Sequence, residues 1–486
     1  MGWAAVSGRQ DRLAGVLLGL AAGDALGAPY EFHTSVDAAA AEPVGGGLGP
    51  WAPGEWTDDT QMAICIAEVT ATGSHDVEAI GGRFLDWYTD GPLDIGNQTR
   101  LVLGGAPSAG ALREWAVTYL QRHPSHAAGN GSLMRTAPVA LACLGDDAAI
   151  ADLARAVSEL THADPLAGDA CVLWCVAIDR AVREGRLDGV RDGLDLLAPD
   201  ARQRWSDHLD EAEARPPEAF TPNGFVVTAL QAAYAAVRQT PVPADRPGAH
   251  LEAALRRAVG IGHDTDTVAA IAGALLGARW GWSAIPQRWL RVLHGWPGLR
   301  ARDLVTLALH TVSGGENDTA RWPGADSLDR HYRETDPTPP RVVPAPRDDG
   351  LLLGNATGLA EAASEVDAVV SLCRSGRAEV ADDVEHLHVP LVDEPGANPN
   401  LELLLDDLAA TVSALRGEGK RVFLHCAGGR SRTPTVAAWY LARRDGVPAR
   451  TALDEVADVL ADTAPNPEFV ALLTGDPTLS RSRPRR

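Results

Sequence analysis

Along the first two thirds of the chain, apolar positions recur at the spacing of helix faces. Met62, Cys65, Ile66 and Val69 follow the i, i+3, i+4, i+7 template. The run VAAIAGALLGA, 268–278, is apolar on every side and predicts a helix at the centre of a bundle. Glycines 15, 19, 23 and 27 share one face of an N-terminal helix, which they weaken while admitting a neighbouring backbone or a ligand. The last third alternates differently. Residues 368–372 (AVVSL), 387–392 (LHVPLV) and 421–425 (RVFLH) predict short strands, and Leu401, Leu404, Leu405, Leu408, Val412 and Leu415 predict a helix between the second and third. Strands alternating with helices imply a central parallel sheet. Between the two patterns lies TDPTPPRVVPAPRDDG, 335–350, with five prolines in sixteen residues, which resists helix and sheet and reads as a stiff spacer. The expected organisation is multidomain: an all-α domain over 1–333, a Pro-rich linker over 334–350 and a small α/β domain over 351–486.

Composition narrows the classes. A chain of 486 residues has room for roughly two to four domains. With 45% hydrophobic and 22% charged residues it is built as a globular rather than a disordered protein. A net charge of −22 argues against general nucleic-acid binding, because a phosphate backbone rewards Lys and Arg. Six cysteines are too sparse for a disulfide framework, and Cys171 and Cys175, one turn apart in an apolar run, read as a buried helix face. Arg9 and Arg12 precede the apolar stretch Leu13 to Gly23 as in a signal peptide, but Asp24 closes it. No stretch approaches eighteen uninterrupted apolar residues, so the expectation is a soluble, cytoplasmic protein without a membrane partner.

Two segments share an unusual form. WTDDTQMA sets Thr57, Asp58, Asp59 and Thr60 before one helix, and GHDTDTVAAIAG sets Asp264, Thr265, Asp266 and Thr267 before another. One reading is helix capping, since Thr and Asp accept orphan N–H groups. The other is a metal centre: paired aspartates repel unless protonated or neutralised, and their oxygens suit Mg²⁺ or Mn²⁺. Four aspartates balance two divalent ions, as in two-metal sites.

Further blocks bear on that choice. GLAAGDALGAPYEF (19–32), WTDDTQMA (56–63), GPLDIGNQT (91–99), NGSLMRTAPVA (130–140), THADP (161–165) and GHDTDTVAAIAGALLGA (262–278) together resemble the ADP-ribosylglycohydrolase family, which includes the dinitrogenase-reductase-activating type. The resemblance implies a compact all-helical domain with a binuclear magnesium centre. It implies Thr57, Asp58, Asp59, Asp264, Asp266 and Thr267 as metal ligands, the metals gripping the ribose beside the scissile bond. Glu31 and Asp94 match two carboxylates, each used in some members for proton transfer or for placing water. Asn130, Gly131 and Ser132 match a loop that cradles the diphosphate, and His162 matches a substrate-pocket position. His263 departs from the pattern, standing where the family usually has glycine.

Near the C-terminus, RVFLHCAGGRSRT (421–433) reads as strand, glycine-bearing loop and helix start, with proline following at 434. The spacing Cys426-x5-Arg432 sets a thiol beneath backbone N–H groups and a guanidinium, which bind a tetrahedral oxyanion and favour a thiolate nucleophile. It resembles the loop HCxxGxSR[ST] of protein-tyrosine and dual-specificity phosphatases through His425, Cys426, Gly429, Ser431, Arg432 and Thr433, with Gly428 in place of a frequent alanine. The resemblance implies that Cys426 attacks phosphorus, Arg432 holds phosphoryl oxygens, Thr433 eases thiolate departure and His425 orients the loop. Asp393, in HVPLVDEPG, lies about where the family's general acid falls.

The combined reading is a bifunctional hydrolase of ADP-ribosylated proteins or small molecules and of phosphorylated substrates. Its rivals are an ADP-ribose-binding module that recruits targets to an active phosphatase, and a non-catalytic regulator.

Overall fold

The structure, a computed structural model, describes residues 8–34, 36–315, 322–389 and 391–476. These divide into a helical unit, 9–285 with 292–315, and an α/β unit that takes in 286–291 and 322–476.

Five helices position the chemistry of the helical unit: α1 (Gly8–Gly27), α2 (Asp58–Thr70), α3 (Pro165–Glu184), α4 (Val226–Gln239) and α5 (Thr265–Trp280). The apolar run in α5 is buried, as its all-round hydrophobicity predicts. The glycine face of α1 lies backbone to backbone against it. A Cβ at Gly15, Gly19 or Gly23 would stand 2.3, 2.2 or 2.1 Å from the carbonyl oxygen of Gly277, Gly273 or Ala269. The four-residue glycine spacing is therefore a helix–helix seam that no larger residue fits. The segment Gly8–Tyr30 is long and apolar enough to cross a membrane, but 94% of its apolar window is buried inside this fold. Trp174 on α3 closes the core from the other side by donating to the Ile271 carbonyl of α5 at 3.0 Å. Cys171 and Cys175 sit on the buried face of α3, as read from the sequence.

The α/β unit is built on strands β1 (Val342–Ala345), β2 (Asp348–Asn355), β3 (Ala368–Ser371), β4 (Glu385–His388) and β5 (Val422–Cys426), in the order β1-β2-β5-β3-β4. Period-two alternation sorts its two cores. Leu351, Leu353, Val370 and Leu424 face the helices α7 (Leu401–Gly417) and α8 (Arg432–Asp445), while Leu352, Val369 and Phe423 face Leu359, Ala362 and Val366. β5 is the central strand, flanked on both sides by parallel neighbours, with Asn355 opposite Cys426 and Ser371 opposite His425. The catalytic-loop candidate thus leaves the C-terminal end of the most buried strand, the usual place for a ligand in a parallel sheet.

Three expectations change. The stretch 334–350 is not a free spacer: Val342–Ala345 pairs antiparallel with β2, and Pro344 is tolerated because it lies beside a register shift on an edge strand. The sheet is accordingly mixed rather than wholly parallel, and the α/β unit begins before residue 351, with α6 (Asp329–Thr335) already part of it. The second strand runs over 385–388 rather than 387–392. Pro390, residues 316–321 of the polar stretch and the tail RSRPRR lie outside the described residues.

Candidate functional sites

The N-termini of α2 and α5 converge on one buried carboxylate cluster. Thr57 and Asp264 occupy the N-cap positions, yet neither side chain caps its own helix. For α2 that task falls to Asp24 of α1, which accepts the N–H groups of Thr57 and Thr60, each at 3.0 Å, and their hydroxyls at 2.9 and 2.6 Å. Thr57 Oγ1 also donates to Asp59 Oδ2 at 3.2 Å. One oxygen each from Asp24, Asp59 and Asp266 lies within 4.8 Å of the others, and the same holds for Glu31, Asp264 and Asp266. Asp266 belongs to both groups. Thr267, whose N–H donates to Asp266 Oδ1 at 2.9 Å, stands beside them.

Burial and mutual repulsion oppose ionisation throughout this cluster. Burial, then repulsion from Asp94, Asp24 and Asp264, holds Asp58 well above the ordinary carboxylate range; Asp59 and Asp266 are raised in the same way. Asp264 is raised by burial against a hydrogen bond from Asn130. Asp24 is pushed up to about 6 by burial, against the pull of its threonine donors. Glu31 is pushed up to about 8, by burial first and then by Asp264, Asp94, Asp58 and Asp24.

Such a set fits divalent cations. The donors are all oxygens, which suits hard ions, and Asp59 Oδ1 is buried without a hydrogen-bond partner. The residues able to hold metal are therefore Asp24, Asp59, Asp266, Asp264 and Glu31, with Asp58, Thr57 and Thr267 adjoining them.

A second shell of polar contacts holds the cluster in place. Asn130 Nδ2 donates to Asp264 Oδ2 at 2.7 Å, and Asn223 Oδ1 receives the Asp264 N–H at 2.9 Å. The Asn130–Ser132 turn rests on His162: a Cβ at Gly131 would lie 3.1 Å from its ring. Burial holds His162 down to about 3, so its imidazole is neutral at pH 7. The Ser132 hydroxyl faces away, toward Ser158 at 2.9 Å. His263 has φ of 65°, which explains why glycine is at home there. Its backbone clasps the Glu31 loop, since Phe32 N–H donates to the His263 carbonyl at 2.6 Å and His263 N–H to the His33 carbonyl at 2.7 Å. Asp94, half-buried, lies near enough for its charge to help raise Asp58 and Glu31, and its Oδ1 accepts the Ile95 N–H.

The second site is local. Cys426 ends β5, and the loop after it closes on α8 through Gly429 at φ of 70°. One terminal nitrogen of Arg432 donates to the carbonyls of Leu372 and Leu391 at 3.1 and 3.0 Å, while its buried Nε–H has no hydrogen-bond partner and lies 3.9 Å from Asp393 Oδ2. Ser431 Oγ donates to Asp393 Oδ1 at 2.6 Å, and Asn466 Nδ2 reaches the same oxygen at 3.0 Å. His425 is buried, held down to about 3 by desolvation, and bonded to Ser371 Oγ at 2.7 Å. Thr433 Oγ1 donates to the Gly354 carbonyl at 3.1 Å. The buried Cys426 thiol and the largely buried Arg432 guanidinium thus stand at the two ends of one glycine-bearing loop, a pairing able to serve an anion.

The molecule thus joins two hydrolase units. Residues 5–318 match the ADP-ribosylglycohydrolase family and residues 353–475 the catalytic domain of dual specificity phosphatases. The chain belongs to the ADP-ribosylglycohydrolase family and carries a dual-specificity-phosphatase domain after it. It is 32% identical to ADP-ribosylarginine hydrolase Tri1 of Pseudomonas putida, over 58% of this chain and 73% of that protein. It is also 32% identical to ADP-ribosyl-[dinitrogen reductase] glycohydrolase of Rhodospirillum rubrum, over 58% of this chain and 90% of that protein. A solved ADP-ribosylglycohydrolase-related protein complex aligns at 31% identity and a TM-score of 0.49, covering 63% of this chain and 99% of that one.

Sequence reasoning missed Asp24, Asn223 and Asn466. Asp24 had a signal, being the only charged side chain between Arg12 and Glu31. An ionisable group alone in an apolar helix needs a partner. Nothing in the local sequence singles out Asn223 or Asn466.

Proposed function

We propose that the helical unit cleaves the N- or O-glycosidic bond of ADP-ribosylated substrates with two divalent cations, Mg²⁺ or Mn²⁺, and that the α/β unit hydrolyses phosphate monoesters through a phosphocysteine. The convergence of Asp24, Asp59, Asp264, Asp266 and Glu31 in one cluster carries the first half. Similarity to an ADP-ribosylarginine hydrolase makes an arginine linkage the first substrate to test. Bound there, the cations would orient sugar hydroxyls and polarise water. Glu31, raised by burial and by its carboxylate neighbours, is the first candidate to pass a proton between water and the leaving atom; Asp94 is the alternative carboxyl. The Asn130–Gly131–Ser132 turn, supported by His162, receives the diphosphate.

In the α/β unit, Cys426 attacks phosphorus while Arg432 Nε–H and the N–H groups of the Gly429–Ser431 loop hold the phosphoryl oxygens. Asp393 protonates the leaving oxygen, neutral His425 braces the base of the loop, and Thr433 assists departure of the thiolate. Asp264→Asn and Cys426→Ser, assayed separately for release of ADP-ribose and of phosphate, test both halves. Each substitution should remove one activity and spare the other. Release of ADP-ribose by D264N at the wild-type rate, or of phosphate by C426S, sinks the corresponding half, and ADP-ribose binding without turnover points to the binding-module reading. A shared target for the two units predicts that ADP-ribose, the product of one, changes the rate of the other.

A further inference from the structure

The proline-rich stretch brings a carboxylate onto the anion-binding loop. Helix α6 ends at Asp336, whose N–H donates to the Tyr332 carbonyl at 2.8 Å. Tyr332 is itself anchored through its hydroxyl to the Arg374 carbonyl at 2.5 Å, and Thr338 Oγ1 donates to Asp336 Oδ1 at 2.6 Å. Held this way, the carboxylate meets the loop twice. One terminal nitrogen of Arg430 donates to both Asp336 oxygens, at 3.1 and 3.0 Å. Asp336 Oδ2 also lies 2.4 Å from where a Cβ at residue 428 would stand. The glycine at 428, which replaces a frequent alanine and looks like a minor change in the sequence, leaves the space that this carboxylate needs.

Arg430 keeps half of its side chain exposed and Asp336 about a quarter, so the pair faces substrate-accessible solvent beside the cradle. A lone arginine there would attract any second anionic group of a substrate, and a lone aspartate would repel the phosphate itself. Paired, they cancel at short range. A second anion that seeks Arg430 must displace a carboxylate held by Thr338 and by the end of α6.

We propose that Asp336 and Arg430 form a charge filter at the mouth of the phosphatase site, admitting phosphate monoesters on uncharged groups and disfavouring those with a second anionic group beside the phosphate. The filter rests on the phosphatase reading above and assigns its substrate class. The test uses the full chain with para-nitrophenyl phosphate and with two phosphotyrosine peptides, one with neutral and one with acidic residues flanking the phosphotyrosine. In Asp336→Asn, kcat/KM on the acidic peptide should rise about fivefold through KM, while kcat on para-nitrophenyl phosphate stays within about twofold and its pH–rate profile does not move. Gly428→Ala, whose new methyl group displaces the carboxylate, should shift the acidic-to-neutral preference in the same direction. In Asp336→Asn/Arg430→Ala the preference should return toward wild type, showing that the two side chains act as a pair. An unchanged peptide preference in both D336N and G428A overturns the filter. Loss of the alkaline limb of the pH–rate profile in D336N also overturns it, and makes Asp336 the proton donor. Failure of the underlying reading looks different: wild-type protein would release no phosphate, or C426S would still release it.

Discussion

In the helical unit the reactive groups come from separate segments, around residues 24, 31, 58, 94 and 265, and carry one sign of charge. In the α/β unit the candidate groups come mostly from the seven residues Cys426 to Arg432, where a buried thiol and a largely buried guanidinium share one loop. On the proposed reading, the first is a buried carboxylate cluster that a cation would neutralise, and the second is a loop whose thiol and guanidinium would meet an anion. Each unit gathers the charge opposite to that of its expected ligand, and the net charge of −22 reports neither.

The strongest way to break the comparison is to remove the single group on which the local site depends. Cys426→Ser should lower phosphate release by more than about four orders of magnitude and leave ADP-ribose release unchanged, read by parallel product assays. The distributed site should fail more gradually. Asp59→Asn, which removes one carboxylate among several, should lower ADP-ribose release about a hundredfold and weaken Mn²⁺ binding in calorimetry.

The seam under the distributed site offers a sharper structural test. Gly19→Ala sets a methyl group 2.2 Å from the Gly273 carbonyl oxygen and should destabilise the helical unit by about 1–3 kcal/mol, seen as a lower melting temperature. It should also impair ADP-ribose release, because α1 carries Asp24.

Stability against pH tests the distributed site by sign. Asp24, at about 6, and Glu31, at about 8, lie above their ordinary values, so the folded metal-free unit binds more protons than the unfolded chain. With EDTA present, its melting temperature should therefore rise as pH falls from about 8 toward about 5. Excess Mg²⁺ should flatten or reverse that slope, since metal binding requires the ionised carboxylates. The opposite slope in EDTA would count against a cluster held by repulsion. The smallest effect belongs to Asn466→Ala. It leaves Asp393 with its Ser431 bond and its ion pair to Arg432, and should lower kcat on para-nitrophenyl phosphate by less than about tenfold, with little change in KM.

Local pattern made much of this legible. The buried run of α5, the leucine face of α7 and the strand before Cys426 follow from periodicity, because burial on one face or on all faces leaves a direct trace in residue order. Residues 342–345 left none: a segment with Pro344 reads as a spacer, and only pairing with residues 348–354 makes it an edge strand. Asp336 was hidden for the same reason. Its neighbours at Gly428 and Arg430 lie more than ninety residues away in the chain.

What the sequence by itself determined is whatever a short, continuous segment can build: the Cys426–Arg432 cradle, the two aspartate-bearing helix starts and the glycine face of α1. Chain connectivity brings those groups together whatever the rest of the molecule does. Only the tertiary structure decided that Asp24 joins Asp59 and Asp266, that Asn223 and Asn130 hold Asp264, and that Asp336 meets Arg430 of the loop after Cys426. These contacts depend on how helices and loops distant in sequence pack, and packing is set by the summed burial of many side chains rather than by any motif.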